Sequence, residues 1–285
     1  MIVDVHTHIC PPEIRQRREA FFPGEDDFRL IYADPRARLV GATDLVAHMD
    51  REGIDAACAF GFPWNHDGHT RLCNDYVLDA ARRFPGRVIP FACVNPLRGP
   101  AAVREAERCL AAGARGLGEI ATYGAGLGEP VRRALAPLAE LCREAGLPLL
   151  LHTNEPVGHA YPGKSRMGPA DIYALVGAHP GTRWILAHWG GGLFAYHLLR
   201  REVDEVLRNV WYDTAAGPFL YKPAAYRHLI DIAGPGRLLF GSDYPLLGLP
   251  RYRREMEAAG LTRTEIDAVL GRNALELLGP VGGAP

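Results

Sequence analysis

The sequence predicts an α/β protein built as a single-domain (β/α)8 TIM barrel over residues 1–285, and three observations predict it. Eight short apolar runs, each ending in polar residues, alternate with stretches of helical periodicity. No linker-like segment divides the 285 residues, and α/β barrels routinely use about 250 residues as one unit. The Gly-x-Gly-x-x-Gly turn that opens a doubly wound sheet follows none of the runs, and Gly190-Gly191-Gly192 comes only after the sixth.

The runs, in order, are IVDVHTH from Ile2, DAACAFGF from Asp55, RVIPFACVNP from Arg87, ARGLGEI from Ala114, LPLLLHT from Leu147, RWILAHW from Arg183, NVWYDTA from Asn209 and RLLFGSDYP from Arg237. Most are continuously apolar, as parallel strands covered on both faces should be. Helices are expected between them. Thr43 and Asp44 open one that closes before Gly53; another runs from near His69 to Phe84, before Pro85-Gly86; a third follows Pro100 and ends at Gly113. Ala136-Pro137 disfavours an unbroken helix from Val131, which puts the main helix at Pro137 to Gly146. Thr262 with Glu265 forms a capping box near the C-terminus. The first βα connection, about 9–40, is unusually long and suits a lid or an oligomer contact over the barrel mouth.

Composition narrows the function. With 48% hydrophobic and 23% charged residues the chain can bury a large core. Its 32 basic and 33 acidic residues leave a formal charge of -1, so no net field favours nucleic acid or an anionic membrane. Six cysteines without a C-x-x-C pair read as reduced core residues of a cytoplasmic protein. The N-terminus has no export leader, and no apolar run approaches the roughly 18 residues of a membrane span. The expected partner is a small-molecule substrate, with homo-oligomerisation left open.

In a parallel barrel, functional groups gather at the C-terminal ends of the strands. His6 and His8 are two apart on the first strand, so both rings face one side, about 7 Å apart along the chain. Two imidazoles there can converge on one ion. Asp4 shares their parity and is expected to orient a ligand. His152, His188 and Asp243 stand at the polar ends of the fifth, sixth and eighth runs, and Glu119 sits on the fourth where a metal-bridging group would reach inward. Groups of this kind are costly to bury unpaired, which favours a shared ion over separate hydrogen-bonding roles.

Asn154, Glu155, His159, Tyr161 and Lys164 after the fifth strand are candidate substrate contacts, as are Trp64, Asn65, His66 and His69 after the second. Asp213, ending the seventh strand, reads as a supporting or packing carboxylate, and Gly190 to Gly192 as a tight turn.

The set H-x-H, then His, His and Asp at later strand ends, resembles the amidohydrolase superfamily. LLLHTNEPVGH, ILAHWGGG and LLFGSDYPL resemble its amidohydrolase-related branch, which includes aminocarboxymuconate-semialdehyde decarboxylase. The resemblance spans essentially the whole chain. It implies a metal-containing barrel with His6, His8, His152 and Asp243 as ligands and His188 as a catalytic or second-metal histidine. No lysine occurs on the fourth strand and Lys164 lies in the loop after the fifth, which argues against a carbamate-bridged pair. Glu119 in that position is similar to metal-dependent deoxyribonucleases of the superfamily, so one or two ions fit.

Imidazoles and a carboxylate suit Zn, with Mn or Fe as alternatives, and leave a position open for water. Bound Zn lowers the pKa of that water to about 7. Asp243 would take its proton and His188 would stabilise an oxyanion or protonate a leaving group. The leading expectation is therefore a metal-dependent hydrolase of a small amide, ester, lactone or related bond. The alternative is a metal-dependent non-oxidative decarboxylase of a small unsaturated or aromatic carboxylic acid. A non-catalytic binding barrel is disfavoured by the complete set of ligand types.

Overall fold

The computed structural model describes residues 1–200 and 202–280. All eight apolar runs contain a strand: β1 Val3–His8, β2 Ala56–Phe60, β3 Val88–Pro90, β4 Leu117–Ile120, β5 Pro148–Leu151, β6 Arg183–Leu186, β7 Val210–Asp213 and β8 Leu238–Leu239. Each pairs in parallel with the next, in the orders β1-β2-β3 and β4-β5-β6-β7-β8. A bridge between Ala92 and Leu117 joins the two groups, and a second between Thr7 and Tyr244 closes the ring. At that seam the Val5 N–H donates to the Phe240 carbonyl and the His8 N–H to the Tyr244 carbonyl, both at 2.9 Å. The result is the closed (β/α)8 barrel.

Side-chain alternation sorts the core into two shells. Ala56, Cys58, Phe60, Leu150, Ile185 and Leu239 fill the barrel together with Val3 and Val5. Ala274, Leu277 and Leu278 of the C-terminal helix Asn273–Leu278 pack into the same set. The intervening residues, including Ala57, Ala59, Leu149, Leu151, Trp184 and Tyr212, face outward against the helices.

β1 breaks this alternation. Asp4 lies opposite Ala57 and Thr7 opposite Ala59, so three steps on β1 match two on β2. This bulge reverses the parity between Val5 and His6. Val3 and Val5 point into the barrel below the bulge and His6 and His8 point into it above. Asp4 therefore does not share the histidines' side, contrary to the expectation from spacing.

The helices follow their signals with one exception. Ala42–Glu52 ends on Gly53 in the left-handed region (φ 71), and Asp67–Arg83 and Pro100–Ala111 fall where expected. Thr262 Oγ1 accepts from the Glu265 N–H while the Glu265 carboxylate accepts from the Thr262 N–H at 2.8 Å, which completes the capping box. The exception is the helix Glu129–Ala145, which continues through Pro137 instead of starting there. Its buried residues Val131, Leu135, Leu138, Ala139 and Cys142 form one stripe across the proline. Pro137 and Arg133 are both exposed, so water can satisfy the carbonyl that the proline leaves unbonded.

The 9–40 connection is folded. It contains the helices Pro12–Gln16 and Asp26–Tyr32 with a single 3-10 turn between them. Ile14 and Phe28 form a satellite cluster with Phe62 and Trp64 of the second βα connection and Cys73 of the helix Asp67–Arg83 that follows it. Buried Glu25 fastens the two segments by accepting from the backbone N–H groups of Asn65 (2.8 Å) and His66 (2.7 Å). Among the described residues no helix is long and apolar enough to cross a membrane.

Candidate active site

The strand ends bring His6, His8, Glu119, His152, His188 and Asp243 together. His6 Nε2 is 3.3 Å from His8 Nε2. Asp243 Oδ1 lies 3.3 Å from His8 Nε2 and 3.7 Å from His6 Nε2. Glu119 faces this pair at 3.8 Å on each side, Oε1 toward His6 and Oε2 toward His8. Its Oε1 is also 2.9 Å from His152 Nδ1 and 3.4 Å from His188 Nε2.

Three of the four remaining ring nitrogens are held from outside. Asp213 Oδ2 accepts from His6 Nδ1 at 2.9 Å, the Ala215 carbonyl from His188 Nδ1 at 3.0 Å, and the Gly163 carbonyl from His152 Nε2 at 3.0 Å. A carbonyl or carboxylate can only accept, so each of these three nitrogens carries its proton and leaves the other nitrogen of its ring to face the cluster. Asp213 also accepts from the His188 backbone N–H at 2.9 Å and so positions two histidines at once. Asp4 braces the backbone instead, accepting from the N–H groups of His6 (3.1 Å) and Ser242 (2.9 Å).

Backbone conformation concentrates here too. The described non-glycine residues with left-handed φ are His188 (54), Trp189 (65), Ala216 (54) and Asp243 (58). Such positions cost on the order of 1–3 kcal/mol each and persist where the surroundings over-determine them. Three of the four line one cavity. Gly190 to Gly192 continue the left-handed run after Trp189. A Cβ at Gly191 would lie 2.4 Å from the Asn154 carbonyl oxygen, so these glycines serve the turn that aims His188.

Electrostatics follows the crowding. Burial works against the charged form of His6, but the carboxylates of Asp213, Glu119 and Asp243 outweigh it and raise its pKa to about 10. The same balance, with Glu119 and Asp243 prevailing over burial, takes His188 to about 9. Burial would raise Glu119 and Asp243, yet the surrounding imidazoles hold both well below the usual carboxylate range. Asp4 has no such neighbour balance, and desolvation pushes it up to about 7.

Above the cluster opens a cavity of about 640 Å³ with His8, Glu119, His152, His188 and Asp243 on its floor, a size typical of small-molecule sites. Phe62, Tyr32 and Tyr123 wall it, Phe219 and Leu246 stand at the rim, and the first connection contributes Arg36 and Arg38. Tyr123 meets His152 edge-on at 4.9 Å and stacks against Phe62 at 6.0 Å.

Of the loop residues expected to touch substrate, His159 and Tyr161 line this cavity. Five others are used elsewhere. Asn154 is buried, with its side chain bonded to Ser165 on both sides. Glu155 accepts from Tyr161 Oη at 2.9 Å and from Lys164 Nζ at 3.0 Å. Lys164 also donates to the Val157 and His159 carbonyls, so its charge ties the loop together. Trp64 is buried and donates its indole N–H to Cys73 Sγ. His66 caps the helix Asp67–Arg83, Nδ1 accepting from Gly68 N–H at 3.2 Å. Polarity in a loop does not distinguish bracing from binding. Sequence reading missed Tyr32, Arg38, Tyr123, Phe219 and Leu246, which stand on connections with no strand register to place them.

The floor is sensitive to bulk. A Cβ at Gly241 would lie 2.8 Å from His6 Cβ and 3.3 Å from Asp213 Cβ. Gly241→Ala is expected to cost about 1–3 kcal/mol by overpacking, read as a lowered thermal midpoint together with weakened divalent-ion binding.

Comparison with known proteins corrects one expectation. A 6-methylsalicylic acid decarboxylase of Penicillium expansum is 25% identical over 311 residues, covering 93% of each chain. The 5-carboxyvanillate decarboxylase of Sphingomonas paucimobilis superposes with a TM-score of 0.75 at 17% identity, covering 97% of this chain and 98% of that one. That of Novosphingobium aromaticivorans, solved with manganese and 4-hydroxy-3-methoxy-5-nitrobenzoic acid, gives 0.78 at 18% identity, covering 98% and 96%. At such identities the solved structures speak for the fold. The curated relative is a decarboxylase over its full length, and this displaces the hydrolase expectation: the ligand set is shared by both chemistries, so it favoured neither. The sequence profile described as Amidohydrolase matches residues 3–279, and the chain therefore belongs to the amidohydrolase family.

Proposed function

We propose that the protein is a metal-dependent non-oxidative decarboxylase of a small aromatic carboxylic acid. The observation that carries this reading is the end-to-end match to 6-methylsalicylic acid decarboxylase, and an aromatic-walled cavity over a cluster of metal-type donors supports it. His6, His8 and Asp243 would hold a divalent ion, which when bound supplies the positive charge that fixes the acid's oxygens. Their spacings of 3.3–3.7 Å match the separation of tetrahedral ligands about 2.0–2.2 Å from one centre. The donor chemistry accepts Zn, Mn or Fe; the manganese in a solved relative supports Mn over the Zn expected from sequence.

The chain's own side chains divide the remaining work. Phe62 and Tyr123 present aromatic surface to the substrate ring, and the 9–40 connection covers it. Asp243, with 19% of its side chain exposed against 3% for Glu119, is the carboxylate that reaches the substrate. It takes the hydroxyl proton of a bound hydroxybenzoate and returns it to the ring carbon that carries the carboxylate. The bond to the carboxylate then breaks, its electron pair restores the aromatic ring, and CO2 leaves.

The test is CO2 release from 6-methylsalicylate, 2,6-dihydroxybenzoate and 5-carboxyvanillate by manganese-loaded protein. Stoichiometric CO2 with the ring-protonated product is expected from at least one. Loaded, folded protein that releases none from any related hydroxybenzoate overturns the proposal.

Without an ion, His6 is protonated at pH 7.5, below its value of about 10, and an ion bound through it needs the neutral ring. Ion uptake should therefore release a proton, and affinity should rise about tenfold for each pH unit between 7 and 9. Calorimetric titration in buffers of different ionisation enthalpy measures this; no buffer dependence would mean that the ring is already neutral.

A further inference from the structure

We infer that a second pocket, which shares Ala37 and Arg38 with the active-site cavity, binds a small oxyanion, a carboxylate or a phosphate, through Arg18, Arg38 and Arg51. The binding itself is independent of the reaction proposed above, and only its kinetic consequence rests on that reading.

The pocket has a volume of about 470 Å³ and is lined by all three arginines and by one acid, Asp44. Among the described residues none of the three guanidiniums is ion-paired, because the nearby acids serve other groups. Asp34 takes Arg36 at 2.7 Å, and Asp44 Oδ2 takes Arg15 at 3.4 Å and the Gly41 N–H at 2.8 Å. Three positive charges are thus set against one carboxylate that is already in use, and a cleft lined by charge of one sign concentrates counter-ions. The same field reaches His48 on the helix Ala42–Glu52. Burial, and then the charges of Arg51 and Arg38, hold its pKa below the ordinary histidine value against the pull of Glu52.

The donors are arranged in advance. Arg18 makes its bonds through Nη1, to the carbonyls of Ala37 at 2.8 Å, Asp34 at 3.3 Å and Tyr32 at 3.4 Å. Arg38 likewise uses Nη1, on the Pro245 carbonyl at 3.3 Å. Each keeps Nε and Nη2 without a partner, and that edge of a guanidinium can grip two oxygens of a carboxylate or phosphate at once. The carbonyls fix the Arg18 charge before any anion arrives, which lowers the ordering cost of binding.

Arg38 joins the pocket to the cavity. It lines both, and Pro245, which accepts from it, lines the cavity as well. Arg36 in the cavity wall is neutralised by Asp34, so Arg38 is the unpaired arginine that meets an incoming acid. An oxyanion in the pocket neutralises that charge and weakens the acid's binding, and by reciprocity the acid weakens the oxyanion's.

The test titrates manganese-loaded protein calorimetrically with inorganic phosphate and, separately, with acetate. The same titrations are made on Arg18→Gln and on Arg51→Gln, the latter an exposed side chain outside the active-site cavity. One anion per chain is expected from at least one probe, the tighter binder identifying the oxyanion as phosphate or carboxylate. Affinity should fall about tenfold or more in each variant, the loss typical of one charged hydrogen bond. The bound anion should also raise KM for the aromatic acid several-fold in the wild type but not in Arg51→Gln, with kcat unchanged. No heat from either anion overturns the inference. So does wild-type affinity in both variants, which would place the anion on the metal centre. Arg51→Lys keeps the charge and loses the fork, so partial recovery of affinity supports the site even if Arg51→Gln misfolds. A protein that decarboxylates no acid overturns the proposed function and leaves the titrations to decide the pocket.

Discussion

The double variant His6→Ala, His8→Ala is expected to lose its ion at His6, His8 and Asp243 and its activity together. His6 is the most constrained group of the centre: fully buried, braced by Asp213 at 2.9 Å, and within 3.3–3.8 Å of His8, Asp243 and Glu119. Loss of one outer partner of a ligand typically costs 10–100-fold in affinity or activity. Loss of two ligands should exceed that range in both. Asp213→Asn provides the graded comparison: it keeps the side chain's shape but weakens the hold on His6 Nδ1, so a loss within about 10–100-fold is expected. Metal content and decarboxylation rate, measured on the same preparations, check both. Full metal content in the double variant would remove these histidines from the ligand set. The fold should survive, since the rings sit above the apolar interior formed by Val3, Val5 and Phe60 and not within it.

Why the barrel was legible and the chemistry was not is a matter of periodicity. Strands covered on both faces write continuous apolar runs, and each of the eight runs contains a strand because nothing competes with burial there. The convergence of His6, His8, His152, His188 and Asp243 follows from the same register, since polar residues at strand ends must meet at one rim. Asp4 failed because a bulge leaves no trace in a two-residue repeat. The helix through Pro137 was misread because local backbone preference is weaker than an apolar stripe five residues deep. Lys164 and Asn154 looked like binding groups because loop polarity is the same whether a side chain faces substrate or its own backbone. The reaction itself was decided by neither register nor ligands. A hydrolase and a decarboxylase can share one ligand set, and the aromatic surface that lines the cavity above it comes from connections of irregular path that no register announces.

Asp243→Asn separates holding an ion from moving a proton, and a fall in kcat of about 10²–10⁴-fold is expected from loss of the proton transfer. The amide keeps an oxygen that can face His6 and His8, so ion binding should weaken far less than in the double histidine variant. It cannot accept the hydroxyl proton, so the ring carbon goes unprotonated and the carbon–carbon bond is not released. Asp243 is suited to this because it is both held and reachable. Its left-handed backbone (φ 58) is fixed by its N–H donating to the His6 carbonyl at 3.0 Å, while its side chain stays partly open to the cavity. Imidazoles overcome the effect of burial and keep it ionised at rest, so it arrives at the substrate as a base and turns into an acid only after taking the substrate's own proton. In D2O the product should therefore carry deuterium at the carbon that lost the carboxylate. The variant's KM should stay within a few-fold of the wild type if the role is proton transfer. A variant that binds its ion and turns over at the wild-type rate would place the proton on another group, and a variant with no ion would make Asp243 a ligand first.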